Sequence, residues 1–386
     1  MTIDGGSDLL ARTAALVDIA SPSRAEGPLV EQLETELRRH SHLEVTRVGD
    51  NLVARTSLAR SQRVILAGHT DTVPAAGNAS ARLEGDRLFG VGSADMKGGL
   101  AVMLHLAATL TEPAVDLTYV FYAREEIASA ESGLGELFEA RPDLLEGDVA
   151  ILGEPTDAQI EAGCQGTLRL RVELKGARAH TARPWMGRNA VHRLSGVLGA
   201  LTAYEPRSPI IDGCQFREAL QAVAIDGGSG GNVVPDAASI TVNFRFAPDR
   251  SPLDAEQHVL EVFAPFLEKG DEIEILDIAN AAAPGLTHPL LAALVDRSGG
   301  TVSAKLGWTD VARFAAHGVP AVNFGPGDST IAHTATTPTA PSHIRGLARR
   351  CASQSSACAR QASRTGAGSR RSTSHTSTGS RIASSR

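Results

Sequence analysis

Over the first 160 residues, short runs of consecutive apolar side chains alternate with stretches whose apolar positions recur every three or four residues. The runs at 63–67, 117–123 and 148–152 predict buried strands, and the spacing over 97–110 and 131–140 predicts helices. Strands that are apolar on both faces must be covered on both faces. Strand and helix in alternation therefore predict an α/β fold, a mostly parallel sheet covered by helices. In such sheets ligands bind beyond the carboxyl ends of the strands, so chemistry is to be sought there.

From about Thr167 the pattern changes to strict alternation over 167–174 and again over 239–246, where Ile240, Val242, Phe244 and Phe246 share one face, with a helix predicted over 189–204. Alternating strands with one wet face predict an antiparallel sheet, hence a separate α+β domain. Past Ala281-Ala282-Ala283-Pro284-Gly285 the chain returns to helix at 290–298 and strand at 321–324, so this domain is expected as an insertion. The expected division is 1–167 with 284–334 as one domain, 168–283 as the inserted one, and 335–386 as a tail. The last 36 residues are dominated by Ser, Arg, Ala and Thr with Ile382 their only large apolar side chain, a composition that predicts disorder.

Composition narrows the class. With 42% hydrophobic and 21% charged residues the 386-residue chain has globular composition, and its apolar stretches fall short of the roughly 20 residues a bilayer requires. Nine of the 37 basic residues lie beyond Asp328 with no acid among them, so residues 1–328 carry 28 basic against 44 acidic groups, a balance of −16 that argues against nucleic acid as a partner. The first residues show neither a basic nor an apolar export region, which predicts a cytoplasmic protein without a membrane anchor. Four cysteines with no Cys-x-x-Cys pair exclude a thiolate metal site, leaving His, Asp and Glu to hold any metal.

Those residue types gather where the fold rule points. The first strand runs into Gly68-His69-Thr70-Asp71, Asp95 opens the helix at 97–110, the strand ending at Ala123 delivers Glu125-Glu126, that ending at Leu152 delivers Glu154, and His333 follows the strand at 321–324. Several carboxylates at one sheet edge raise one another's pKa unless cations neutralise them. Two histidines with carboxylates and no cysteine suit a pair of divalent metals, zinc first. Asp71, two residues from His69, can hold the imidazole in its ligating tautomer. Of the adjacent Glu125 and Glu126, one can bind metal while the other serves as general base. The run Gly227-Gly228-Ser229-Gly230-Gly231 fits the serine-hydrolase elbow in spelling, but Asn232 to Pro235 cannot continue as the helix it requires.

Taken together, Gly68-His69-Thr70-Asp71-Thr72-Val73-Pro74, Asp95-Met96-Lys97-Gly98-Gly99, Glu125-Glu126, Gly153-Glu154-Pro155-Thr156 and Gly325-Pro326-Gly327-Asp328 with His333 resemble the M20 family of dinuclear zinc peptidases and deacylases. The resemblance extends from about residue 8 to His333. Within the family, the stretches 160–167, 231–236, 243–250 and 307–310 are most similar to the actinobacterial succinyl-diaminopimelate desuccinylases. It implies two Zn²⁺, for which Co²⁺ can substitute, with His69 and Glu154 on one ion, Glu126 and His333 on the other, Asp95 bridging, Asp71 orienting His69 and Glu125 as general base. It makes the insert a lid and dimerisation domain, so that a homodimer is expected. His180 is then the lid histidine that reaches a partner's site, while Arg245 and Asn232 lie near the acyl carboxylate and the developing oxyanion. The implied substrate is an N-acyl amino acid, N-succinyl-LL-2,6-diaminopimelate first; an acetylornithine deacetylase or another aminoacylase of the family is the alternative within the class.

One stretch departs from the family. After His333, members carry an acidic pair and an amphipathic helix, whereas here Thr334-Ala335-Thr336-Thr337-Pro338 has no acid, and prolines at 338 and 341 oppose a helix. The change reads as a frameshift, and it keeps an inactive pseudoenzyme as the reading from a different class.

Overall fold

The computed structural model describes residues 8–85, 87–228, 230–331 and 338–339. Two helices, α1 (Leu9–Val17) and α2 (Gly27–Leu37), precede strands β1 (Glu44–Val48), β2 (Asn51–Arg55) and β3 (Arg63–His69). A hairpin of β4 (Arg82–Glu84) and β5 (Arg87–Phe89) leads to α3 (Gly98–Thr109), β6 (Asp116–Tyr122), α4 (Gly133–Ala140), β7 (Val149–Leu152) and β8 (Ile160–Ala162). The middle of the chain forms β9 (Gly166–Lys175), α5 (Ala190–Thr202), the short pair β10 (Ile210–Ile211) and β11 (Cys214–Gln215), β12 (Ala219–Gly227), β13 (Ala237–Phe246), α6 (Pro252–Phe263) and β14 (Glu272–Ala279). Then follow α7 (Pro289–Ser298), β15 (Val302–Ala304), α8 (Val311–Ala316), β16 (Ala321–Asn323) and β17 (Pro338–Thr339).

Eight strands form the large sheet in the order β1-β2-β6-β3-β7-β16-β8-β15. Its centre, β6-β3-β7-β16, is parallel, as the apolar runs predict. All seven residues of β6 are buried, because helices cover both faces. The flanks differ from the expectation: β1, β2 and β6 pair antiparallel, and β8 runs antiparallel to β16. The cause at one flank is local. Gly49, at φ 58°, and Asp50 make a two-residue turn that folds β2 straight back on β1.

The second sheet, β12-β13-β9-β14, is antiparallel throughout. Leu168, Leu170, Val172 and Leu174 of β9 and Ile240, Val242, Phe244 and Phe246 of β13 turn inward against α5 and α6, so this sheet has its own core. The chain crosses between the sheets twice, and the crossings pair with each other at the bridge Cys164↔Ala282. Among the described residues no helix is long and apolar enough to cross a membrane. Of the predicted tail, Pro338–Thr339 pairs with β5; the rest, and His333, lie outside the described residues.

Candidate active site

The parallel strands end side by side, and each hands over a polar residue. His69 is the last residue of β3 and only 1% exposed. Its Nδ1 lies 3.0 Å from the Asp71 carbonyl oxygen and 3.5 Å from Asp71 Oδ1, and its Nε2 lies 3.0 Å from Asp95 Oδ1. With Nδ1–H donating to Asp71, the ring presents Nε2 to the cluster. Asp95 sits in a kinked segment, Ser93–Lys97, where its own backbone is extended (φ −117°, ψ 96°) and a cis peptide joins it to Met96 just before α3. α3 can begin this close to the strand ends because Gly99 has no side chain: a Cβ there would stand 2.3 Å from the Gly153 carbonyl oxygen.

Asp71 does more than hold His69. Its Oδ1 accepts the Glu125 backbone N–H at 2.9 Å, and its Oδ2 accepts the Glu126 N–H at 3.0 Å and the Ser23 hydroxyl at 2.7 Å. One buried carboxylate thereby fixes the imidazole on β3 and the turn that carries the glutamate pair beyond β6. Burial, the largest influence on Asp71, would raise its pKa, but donation from His69, the Glu125 amide and Ser23 outweighs it and holds the carboxyl at about 2.

Glu154 follows β7 and is 5% exposed, and its Oε1 is buried with no hydrogen-bond partner among the described residues. Burial, with Asp95 next, pushes its carboxyl up to about 7. Glu125 is half-buried; burial raises its carboxyl well above the ordinary range, the His69 charge opposing and Glu154, Asp310 and Glu126 adding. For His69, burial disfavours the charged ring, yet Asp71 and Asp95 outweigh it and raise the pKa well above the usual value. Glu125 and Glu154 are thus held against their own charge by burial and by neighbouring carboxylates, a state that a divalent cation relieves.

The donor set fits such a cation. His69, Asp95 and Glu126 each offer one ligand atom, all within 4.8 Å of one another. Glu154, whose Oε1 is unpartnered and which lies in the charge field of Asp95, His69 and Glu126, can add a fourth ligand atom, and imidazole with carboxylates and no thiolate is a set that zinc accepts.

His69, Asp71, Asp95, Glu125, Glu126 and Glu154 are therefore gathered at one edge of the large sheet. The three residues of the second sheet's domain stand elsewhere. His180 and Asn232 are exposed and adjoin each other: His180 bridges Val233, the Thr181 N–H donates to the Asn232 carbonyl at 3.0 Å, and His180 Nδ1 accepts the Ala182 N–H. Arg245, on β13, is half-buried near Cys164 and Asp277, and its guanidinium has no ion-pair partner among the described residues. Burial lowers its pKa, the nearby Cys164 and Asp277 opposing.

Two nearby groups escape the sequence reading. Asp310, at the head of α8, is 1% exposed and contributes to the charge field at Glu125 and Tyr122. Burial raises its carboxyl, against the opposing pull of Arg313. Lys305, 8% exposed, donates to Glu161 Oε2 at 2.7 Å and lies in the field of Glu154 and Asp95. Thr309-Asp310 before a short helix reads as an ordinary cap, so nothing local marks the aspartate as buried beside the cluster.

Known proteins resemble this chain in sequence and in fold. A candidate succinyl-diaminopimelate desuccinylase of Mycobacterium tuberculosis is 56% identical over 332 residues, covering 86% of this chain and 93% of its own. The succinyl-diaminopimelate desuccinylase of Corynebacterium glutamicum is 45% identical over 332 residues, 84% of this chain and 90% of its own. Among solved structures, the aminopeptidase PepT of Bacillus cereus superimposes with a TM-score of 0.74 at 18% identity, over 91% of this chain and 98% of its own. The Bacillus subtilis YXEP protein, a dinuclear metal-binding peptidase of the M20 family, gives 0.65 at 15% identity over 90% and 96%. The description "Peptidase family M20/M25/M40" matches residues 65–352, and this chain belongs to that family.

Proposed function

We propose that this chain hydrolyses the amide bond of N-succinyl-LL-2,6-diaminopimelate, releasing succinate and LL-2,6-diaminopimelate, with two Zn²⁺ that Co²⁺ can replace. The observation that carries the reading is the convergence of His69, Asp95, Glu126 and the unpartnered Glu154 oxygen at one sheet edge, in a chain 56% identical to a candidate desuccinylase. His69 and Glu154 would hold one ion, Glu126 and His333 the other, and Asp95 both. When bound, the ions act as Lewis acids, polarising the amide carbonyl and making water acidic near neutral pH. Glu125 takes the proton of the attacking water and returns it to the leaving amine. Asp71 keeps Nδ1 of His69 protonated and holds the turn on which Glu125 sits.

Arg245 pairs with the succinyl carboxylate, for which its planar fork is suited; that its guanidinium has no ion-pair partner among the described residues supports this role. Residues 168–283 act as a lid and dimerisation domain on a catalytic domain made of 1–167 and 284–334. The paired crossings at Cys164 and Ala282 support that division. β12 supports a homodimer: it is an edge strand whose residues from Gln221 to Gly227 are exposed, Val223 and Ile225 at 58% and 55%, and such an edge is normally blunted or covered. In the dimer His180 and Asn232 serve the partner's site, His180 polarising the scissile carbonyl. A small, net anionic substrate made in amino-acid synthesis supports a cytoplasmic enzyme.

The test is a comparison of substrates by the purified, zinc-loaded protein. We expect succinate release from N-succinyl-LL-2,6-diaminopimelate with kcat/KM well above that for N-acetylornithine. A preference for the acetyl substrate would transfer the chain to the deacetylase reading, and no hydrolysis of either would favour an inactive pseudoenzyme.

A further inference from the structure

The turn that carries Glu125 and Glu126 is held at its start by Asp71 and by the contacts of Arg124 to Glu26, Glu131 and Glu136, and at its far end by another group. Three residues beyond Glu126, both the carbonyl oxygen and the hydroxyl of Ser129 accept from Arg313 Nη2, at 3.1 and 3.0 Å. The same guanidinium donates from Nε to Asp310 Oδ1 at 2.8 Å and lies 5.9 Å from the Trp308 ring centre. Its surroundings are shaped to admit it: Gly135, in the first turn of α4, is so close that a Cβ there would come within 3.1 Å of Arg313 Nη1. Asp310 is 1% exposed and lies in the charge field of Glu125. Arg313 therefore joins three elements, the head of α8, the head of α4 and the catalytic turn. It lines the cleft of about 720 Å³ between that turn and β14 with one planar group.

We propose that Arg313, oriented by Asp310, is a positioning residue for the reaction: it fixes the far end of the 124–129 turn as Asp71 fixes the near end, and so sets where the Glu125 carboxylate stands. The proposal rests on the reading of Glu125 as general base. A guanidinium is suited to the task because its fork can donate to Asp310 and to Ser129 at once, which an ammonium on a flexible stem cannot do in one geometry. Displacing a reacting group by about 1 Å costs on the order of 100-fold in rate. Losing this anchor, while Asp71 and the Arg124 contacts to Glu26, Glu131 and Glu136 remain, is accordingly expected to lower kcat by about 10- to 100-fold, with KM little changed because Arg313 does not hold substrate.

The test is a cycle of Glu125→Gln, Arg313→Ala and the double variant in the zinc-loaded full chain, with kcat, KM, metal content and melting temperature measured for each. If Arg313 acts through Glu125, Arg313→Ala lowers kcat in the parent but adds almost nothing in the Glu125→Gln background, because interacting groups are non-additive. Added guanidinium chloride at millimolar concentration should restore part of kcat to Arg313→Ala, saturably, while Arg313→Lys should not recover it. Additive losses would overturn the role of Arg313 alone and leave Glu125 in place. Raised KM with preserved kcat would make Arg313 a substrate-binding group, and a kcat loss equal to the loss of bound metal would make it merely structural; either overturns the proposal. Full activity of Glu125→Gln would overturn the reading of the base itself, and with it this one.

Discussion

Replacing Asp71 by asparagine changes one oxygen to NH₂ at the point where the two halves of the site are tied together. In the metal-free protein the carboxylate takes the Glu125 N–H, the Glu126 N–H and the Ser23 hydroxyl at 2.9, 3.0 and 2.7 Å, and it is 1% exposed. An amide can accept through its oxygen only and must turn its own N–H toward one of the backbone donors. That removes a hydrogen bond to a charged group, about 1.5 to 3 kcal/mol, and leaves a buried donor unmatched. The carboxyl's pKa leads to a similar figure: held at about 2 against an ordinary 3.8, it corresponds to roughly 2.5 kcal/mol of folding free energy. Because the folded-state value is depressed, this contribution is complete above about pH 4 and is lost as the pH falls through about 2. For a unit of about 150 to 250 residues such a loss lowers the melting temperature by about 5 to 10 °C. Scanning calorimetry of chelator-treated protein at pH 7 should show that drop for Asp71→Asn, and kcat of the zinc-loaded variant should fall at least tenfold as the turn loosens. A variant melting within about 1 °C of the parent, with unchanged kcat, would refute the assignment of Asp71 as the tie between His69 and the glutamate pair.

Other consequences are simpler to state. Glu125→Gln should retain both metals yet lower kcat by about 10² to 10⁴, the usual worth of a positioned general base, whereas Glu126→Gln should lower metal content; atomic absorption with steady-state kinetics separates them, and reversed phenotypes would exchange the two roles. Gly99→Ala should cost at least about 2 kcal/mol, since the new methyl would meet the Gly153 carbonyl oxygen at 2.3 Å and Met96 Cε at 3.0 Å; a urea midpoint equal to the parent's would show that α3 is free to shift.

The central strands are legible in the sequence because burial on both faces forces continuous apolar runs, and β3, β6 and β7 fall where those runs stand. β3 extends past its apolar run to His69, since Gly68 and His69 keep pairing with Phe121 and Tyr122. That is why a candidate ligand lies at the strand's last position. β12 is not legible: from Gln221 to Gly227 it is an exposed edge with no buried face to impose alternation. β8 and β15 are three residues each and are defined by their neighbours. Within the site, residues at strand ends can be read from position alone, whereas functions made by tertiary contact cannot. Asp71 beside His69 predicts an oriented imidazole, but its grip on amides 54 and 55 residues away depends on β3 pairing with β6. The reach of Arg313 to Ser129, 184 residues distant, is of the same kind.

The central claim is that a pair of metal ions held by this sheet edge drives amide hydrolysis, and titration of metal against activity tests it most directly. Protein stripped by dialysis against a strong chelator is supplied with increasing Zn²⁺ while succinate release from N-succinyl-LL-2,6-diaminopimelate is followed. The account predicts no turnover at zero metal, a rise on addition, saturation near two equivalents per chain, and similar recovery with Co²⁺. Undiminished hydrolysis by the stripped protein, or saturation far from two equivalents, would contradict it.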